Sequence, residues 1–281
     1  MRNGARFAVV VALLLTGCVD TVADVRLAKD GAGTYATTMR LHAKSHEAAL
    51  RWEAACRAVT PEGKTFSGTS MLAEPDAARK EALAKQGLAV EQWKTRFDDT
   101  TGEFESRVRF ERFSSAIEVN RLQRQGDFDH RLERHAEGLY VLSIAKAKPS
   151  AGDLARAADS PFVLLMRDPV YGGPTNELVS AISPDFMDAK VRFEIRVPGE
   201  VVDAGGVAPA TRGPGGEVVV DCVLGKLRQT APRYRDGDPF VRVRFKMPEG
   251  ESIPAGRLDR DALARPGTPT GETPEKPAGP R

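Results

Sequence analysis

The sequence predicts an α+β fold: an antiparallel β-sheet with helices packed mainly on one face, followed by a disordered Pro/Gly-rich C-terminal tail. Three observations predict it. Stretches of period-two alternation recur, such as Val191, Phe193, Ile195 and Val197 against Arg192, Glu194 and Arg196, and read as half-buried strands. Between them lie stretches with a spacing near 3.6, such as Ala48, Ala49, Trp52, Ala55, Cys56 and Val59, which read as amphipathic helices. From Pro248 to Arg281 the chain is mostly Pro, Gly, Thr and charge, a composition that cannot offset its ordering entropy.

The first element is a leader. Arg2 and Arg6 precede an apolar run from Phe7 to Leu15, and Thr16, Gly17 and Cys18 close it, the three-part layout of a secretion signal. The run has about half the roughly 20 apolar residues that a membrane span needs. Leu15-Thr16-Gly17-Cys18 resembles the lipobox of bacterial lipoproteins. The resemblance implies cleavage between Gly17 and Cys18, with Cys18 diacylated as residue one of the mature chain. Segment 1–17 is then a lipoprotein signal peptide, 18–247 one envelope domain, and 248–281 the tail. Two or three acyl chains, at about 0.8 kcal/mol per buried methylene, hold a protein firmly. The expected location is the outer side of the cytoplasmic membrane or the outer membrane, facing periplasm or exterior, with the lipid on Cys18 as the membrane contact.

The remaining elements follow in order. A hairpin spans Val22 to Leu41 around Asp30-Gly31-Ala32-Gly33, so four to seven residues separate Cys18 from the first strand. A helix covers Ser45 to Ala58 with Ser45 as N-cap, and Thr60-Pro61-Glu62-Gly63 ends it. A second helix covers Pro75 to Gln86. Val90 to Phe97 pairs with Phe104 to Phe110 across Asp98 to Gly102, and a helix follows from Ser114 to Gln125. Phe128 to Arg134 and Leu139 to Ala145 form a hairpin, the second strand apolar on both faces and therefore central. Phe162 to Met166 and Glu177 to Ile182 are short helical pieces separated by Pro169, Gly172, Gly173 and Pro174. Three strands close the domain, at Val191 to Val197, Val218 to Leu224 and Val241 to Met247, with a Gly/Pro-rich loop from Gly205 to Gly216.

Two segments carry a family resemblance. Val25-Arg26-Leu27-Ala28-Lys29-Asp30-Gly31, close behind the cysteine, and Val197-Pro198-Gly199-Glu200-Val201-Val202, late in the domain, resemble segments of LppM-like lipoproteins. The stretch from about Pro75 to Ala158 is longer than in that family. The resemblance implies a compact α+β module facing the envelope, with lipid or glycolipid binding as its role and no catalytic residues.

Charge and chemistry narrow the functions. The chain has 41 Lys+Arg and 39 Asp+Glu; losing Arg2 and Arg6 with the leader leaves 39 of each. A balanced chain has no global attraction to nucleic acid, so the expected partners are lipid, glycan or another envelope protein. His42 and His46 have the i,i+4 spacing of helical metal ligands, but no third ligand completes a site. His130 and His135, five apart on a strand, point to opposite faces. Glycines form no phosphate cradle and no nucleophile elbow. No metal or cofactor is implied, and a non-catalytic module is the first reading; a hydrolase-type enzyme whose residues converge only in the fold is the second. Cys56 and Cys222 leave two readings open, a disulfide joining the two ends of the domain or two buried thiols. Arg192, Arg196, Arg242, Arg244 and Lys246, with Lys190, would make an anionic-ligand face if their strands are neighbours; a solvated face balanced by acids such as Glu194 is the alternative.

Overall fold

Alternation along the strands decides which side chains are buried, and in the computed structural model they are buried between two sheets. The structure describes residues 19–62, 74–98, 102–116, 118, 128–136, 138–146, 165–182, 190–206, 209–223 and 239–263. The Cys18 and Gly17 readings lie outside the described residues, as do most of the helices expected at Ser114 to Gln125 and Phe162 to Met166.

The first sheet has the strand order β3-β4-β2-β1-β7-β10-β9. Its members are β1 (Val19–Leu27), β2 (Gly33–Leu41), β3 (Leu88–Phe97), β4 (Gly102–Phe110), β7 (Lys190–Arg196), β9 (Ala210–Arg212) and β10 (Val218–Val223). The second sheet, β12-β5-β6-β11-β8, contains β5 (Phe128–Ala136), β6 (Leu139–Lys146), β8 (Glu200–Gly206), β11 (Pro239–Lys246) and β12 (Arg260–Asp261). All three hairpins read from the alternation form as expected, and β6 is central in its sheet. The α+β class holds. The single antiparallel sheet does not: there are two, and each is mixed, because β1 runs parallel to β7 and β12 parallel to β5.

The sheets share one core. Val25, Tyr35, Val108, Phe110, Phe193 and Ile195 from the first face Leu132, Tyr140, Leu142, Ile144, Val243 and Phe245 from the second. Ring contacts cross the gap, Tyr35 edge-on to His130 at 5.5 Å and Phe193 edge-on to Phe240 at 5.5 Å. The chain changes sheet at Val197-Pro198-Gly199, between β7 and β8. A side chain at 199 would lie 2.2 Å from the Lys246 carbonyl oxygen, so only glycine permits that crossover.

Among the described residues the sheets are accompanied by the helices α1 (Ala43–Ala58), α2 (Ala77–Ala84) and α3 (Gly172–Ile182). The N-cap of α1 is His42, and Ser45, expected to cap it, is fully buried within the helix. Asp76 caps α2 by accepting from the Arg79 N–H at 2.8 Å. Gly172, Gly173 and Pro174, read as a separator, are instead the first turn of α3; that turn has N–H groups with no helical partner, so proline fits there. The Gly205 to Gly216 loop also needs correcting. It contains the end of β8, all of β9 and a turn in which the Gly213 N–H bonds to Glu217 O and the Gly216 N–H to Gly213 O.

The tail is corrected over its first half. Residues 248–263 form a strap in which Ile253 and Leu258 are buried in the main core, Ala255–Arg257 makes a 3-10 turn, and β12 adds to the edge of β5. Two isolated apolar residues in a polar stretch gave no periodic signal. Residues 264–281 lie outside the described set.

Candidate binding surfaces at the two ends of the sandwich

Because β1 starts at Val19, the strand begins with the residue after Cys18 rather than four to seven residues later. The end of the first sheet next to Cys18 gathers the start of β1, the finish of β2 and β3, and the starts of β4 and β7. Asp20 knits it together: its Oδ1 accepts the Lys190 N–H at 3.0 Å and lies 2.8 Å from His42 Nε2. Arg40 reaches Glu103 at 2.7 Å beside it.

The helix pair α1 and α3 sits at this end, burying Ala48, Ala49, Trp52, Cys56, Leu178 and Ile182 against Leu41, Phe97 and Tyr171. A polar seam fixes the pairing. Trp52 Nε1 donates to Thr175 Oγ1 at 3.2 Å, and Thr175 Oγ1 donates to the Tyr171 carbonyl at 2.7 Å. His46 turns into the junction, edge-on to Phe97 at 5.1 Å, and its Nε2 is buried with no hydrogen-bond partner. Outside the seam a groove of about 440 Å³ runs between the helices, within the usual range of small-ligand sites. Its floor is Ala48, Trp52, Ala55, Pro174, Leu178 and Ala181, and Lys44, Glu47, Arg51 and Glu177 form its rim.

The opposite end is closed by the strap. The Asp259 N–H donates to Leu132 O at 2.8 Å, and Asp259 Oδ2 accepts the Leu132 N–H at 2.7 Å. Arg134 forms an ion pair with Asp261, whose side chain is 5% exposed, and the hydrogen bond to Asp261 holds the guanidinium above its ordinary pKa. The Ile253 N–H donates to Tyr140 Oη at 3.0 Å. Gly31, at φ 82°, lies under the strap, where a side chain would meet Ile253 at 2.7 Å. A cavity of about 1040 Å³ opens beside residues 248–252, lined also by Arg134, Tyr140, Glu200 and Lys246. Glu251 in its wall pairs with Lys29 at 2.6 Å.

The residues proposed from sequence do not come together. Arg192 and Arg196 lie on β7, whose neighbours are β1 and β10, whereas Arg242, Arg244 and Lys246 lie on β11 between β6 and β8. The strands are not neighbours. Since Phe193 and Val243 both face the shared core, the two groups project from opposite sides of the sandwich. Acids also answer them: Arg192 bonds Glu194 at 2.7 Å and Asp221 at 3.1 Å, Arg196 lies 3.7 Å from Glu217, and Arg242 lies 3.8 Å from Asp203. The Glu194 hydrogen bond pushes the Arg192 pKa up.

The histidines separate in the same way. His42 serves Asp20 and His46 the α1 junction; His130 is buried between Tyr35 and Phe113, while His135 is exposed beside Glu133. Opposite faces for His130 and His135 are therefore observed. Among the described residues no group of three or more His, Cys, Asp or Glu side chains could hold a metal ion. Cys56 is a free, fully buried thiol, so of the two readings the bridge to Cys222 is not the one formed. Burial, with the Glu53 charge second, pushes its pKa up to about 12, which removes the thiolate a nucleophile needs.

The groove between α1 and α3 was not legible in the sequence. Its only signal was the pairing of a small-residue face on α1 with Pro174, Leu178 and Ala181 more than a hundred residues later.

No protein-family model matches the chain. No curated protein matches it either. Among solved structures it is similar to the NMR structure of the folded domain of the Mycobacterium tuberculosis protein LppM. The identity is 11% and the TM-score 0.37, over 83% of this chain and 92% of that one. Among the described residues no helix is long and apolar enough to cross a membrane.

Proposed function

We propose that this chain is a bacterial lipoprotein, held on the outer side of a membrane through lipidated Cys18, whose domain is a non-catalytic envelope module that binds lipid or glycolipid. One observation carries the reading: the sequence Leu15-Thr16-Gly17-Cys18 stands immediately before the first strand, so cleavage ahead of Cys18 would leave the folded domain starting one residue later. Supporting it, the groove between α1 and α3 has an apolar floor and a charged rim, the lining that suits an amphipathic ligand. A catalytic reading has no comparable support among the described residues.

The test is the processed N-terminus. Intact-mass and N-terminal peptide analysis of the protein expressed in a bacterial host is expected to show a diacylglyceryl modification on Cys18 and no residues 1–17. The Cys18→Ser variant should leave the membrane fraction or retain its leader. A wild-type product with an unmodified Cys18 thiol in the soluble fraction sinks the reading. Lipid extraction of the purified wild-type protein then tests the ligand: a lipid retained in near-stoichiometric amount is expected, and its absence would leave anchoring without binding.

A further inference from the structure

From where the chain enters the first sheet we infer an interaction surface: the end carrying α1 and α3 rests on the leaflet that holds the Cys18 lipid, with the groove between these helices seated on anionic phospholipid of that leaflet. The inference rests on the reading of Cys18 as the anchor and adds which part of the domain meets the bilayer.

The geometry leaves little slack. Consecutive Cα atoms are about 3.8 Å apart, and Val19, next to Cys18, is already paired with Leu41 in the sheet. A lipidated Cys18 therefore holds the start of β1 at the headgroups with no tether between them. The residues carried with it are those of the same end. Leu41 is followed at once by His42 and the first turn of α1, and the Lys190 N–H at the start of β7 is bonded to Asp20. Ser45 and His46 are buried in this junction, so the helix pair is fixed to the end and cannot swing away from it.

Charge selects the lipid. Arg40, Arg51 and Arg96 are matched by Glu103, Glu47 and Asp98. Lys44, on the groove rim, and Lys190, beside Asp20, have exposed side chains and no carboxylate within ion-pair distance among the described residues; Glu177 on the same rim is also exposed and unpaired among them, so these three groups leave a surplus of one positive charge. Lys44 beside the apolar floor, with Lys190 at the same end of the sheet, offers contact to phosphate, and the floor offers contact to glycerol and acyl carbons. Each lysine close to an anionic surface contributes about 1 kcal/mol, roughly a fivefold change in the ratio of docked to undocked protein.

The experiment uses the full lipidated protein reconstituted in phosphatidylcholine vesicles with and without phosphatidylglycerol. The chain has two tryptophans, so Trp93→Phe leaves Trp52, in the groove, as the reporter. Lipids labelled with a quencher near the headgroup should quench Trp52 in phosphatidylglycerol vesicles, and Lys44→Gln with Lys190→Gln should reduce the docked fraction. Hydrogen exchange on the wild-type chain gives a second readout that needs no substitution at Trp93. Amides of 43–58 and 172–182 should slow on the vesicles relative to detergent, while those of 128–146 stay unchanged. Protein that co-floats with vesicles but shows neither quenching nor protection overturns the docking surface and leaves the anchor intact. Protein that does not co-float overturns both. Protection that is equal with and without phosphatidylglycerol overturns the choice of an anionic lipid.

Discussion

The two ends of the sandwich are finished in different ways. At one end the chain closes itself: the strap of residues 248–263 drives Ile253 and Leu258 into the core and completes the edge of β5 with Asp259 and Asp261. At the other end two helices cover the sheet but leave a groove over Trp52 and Leu178 and a buried His46 Nε2 with no partner. Where the protein supplies its own cover, Ile253 and Leu258 are hidden and Asp259 and Asp261 are paired, while Glu251 Oε2 is buried without a partner and Leu263 stays exposed. Where it does not, an apolar floor remains, with Lys44 and Glu177 on its rim unpaired among the described residues.

That comparison can be broken most severely by removing the strap. A chain stopped after Met247 loses two buried aliphatic side chains, each typically contributing about 2–5 kcal/mol, against a total stability on the order of 5–15 kcal/mol. It is expected to show no cooperative thermal unfolding by circular dichroism; a normal transition would mean that the strap is only draped on the surface. A finer probe is Asp261→Ala, which leaves Arg134 without its partner and should cost about 3 kcal/mol in denaturant unfolding, as for other largely buried pairs. Arg51→Ala, which breaks the exposed Glu47 pair, should stay within roughly 0.5 kcal/mol.

The helical end should respond with the opposite sign. His46→Leu removes an unsatisfied buried nitrogen, so stability is expected to rise by about 1 kcal/mol or to stay level; a loss above that would show that His46 has a partner. The last prediction concerns Cys56 and is confined to alkaline pH. Its folded pKa is raised from 9.0 to about 12 by burial, so the folded state keeps the proton that an unfolded chain releases. The stability this gives is complete below pH 9 and declines as pH rises from 9 toward 12. Cys56→Ala should flatten the alkaline part of the unfolding curve, and the wild-type thiol should resist alkylation at neutral pH until the protein unfolds.

How much of this was legible follows from the distance over which each signal acts. Alternation at Val25, Leu27, Tyr35 and Met39 is local, and the hairpins it implies are formed. The same alternation placed Arg192 and Arg242 outward correctly but says nothing of which strands pair, and the split into two sheets put them on opposite sides. The parallel pairing of β1 with β7 joins residues about 170 positions apart and leaves no local trace. Gly172-Gly173-Pro174 looked like a breaker because its residue types disfavour helix interiors, whereas a first turn tolerates them. The strap was missed because Ile253 and Leu258 are five residues apart in polar sequence. The groove depends on two helices that only the fold brings together.

The placement of β1 has a mechanical consequence. Its hydrogen bonds run to β2 on one side and to β7 on the other, from Val19 or Thr21 onward. A pull on the chain ahead of Val19 is directed along the strand axis, so both ladders are loaded in shear and must yield together. A force applied at the N-terminus thus meets the sheet in its strongest direction, with no loose segment to peel first.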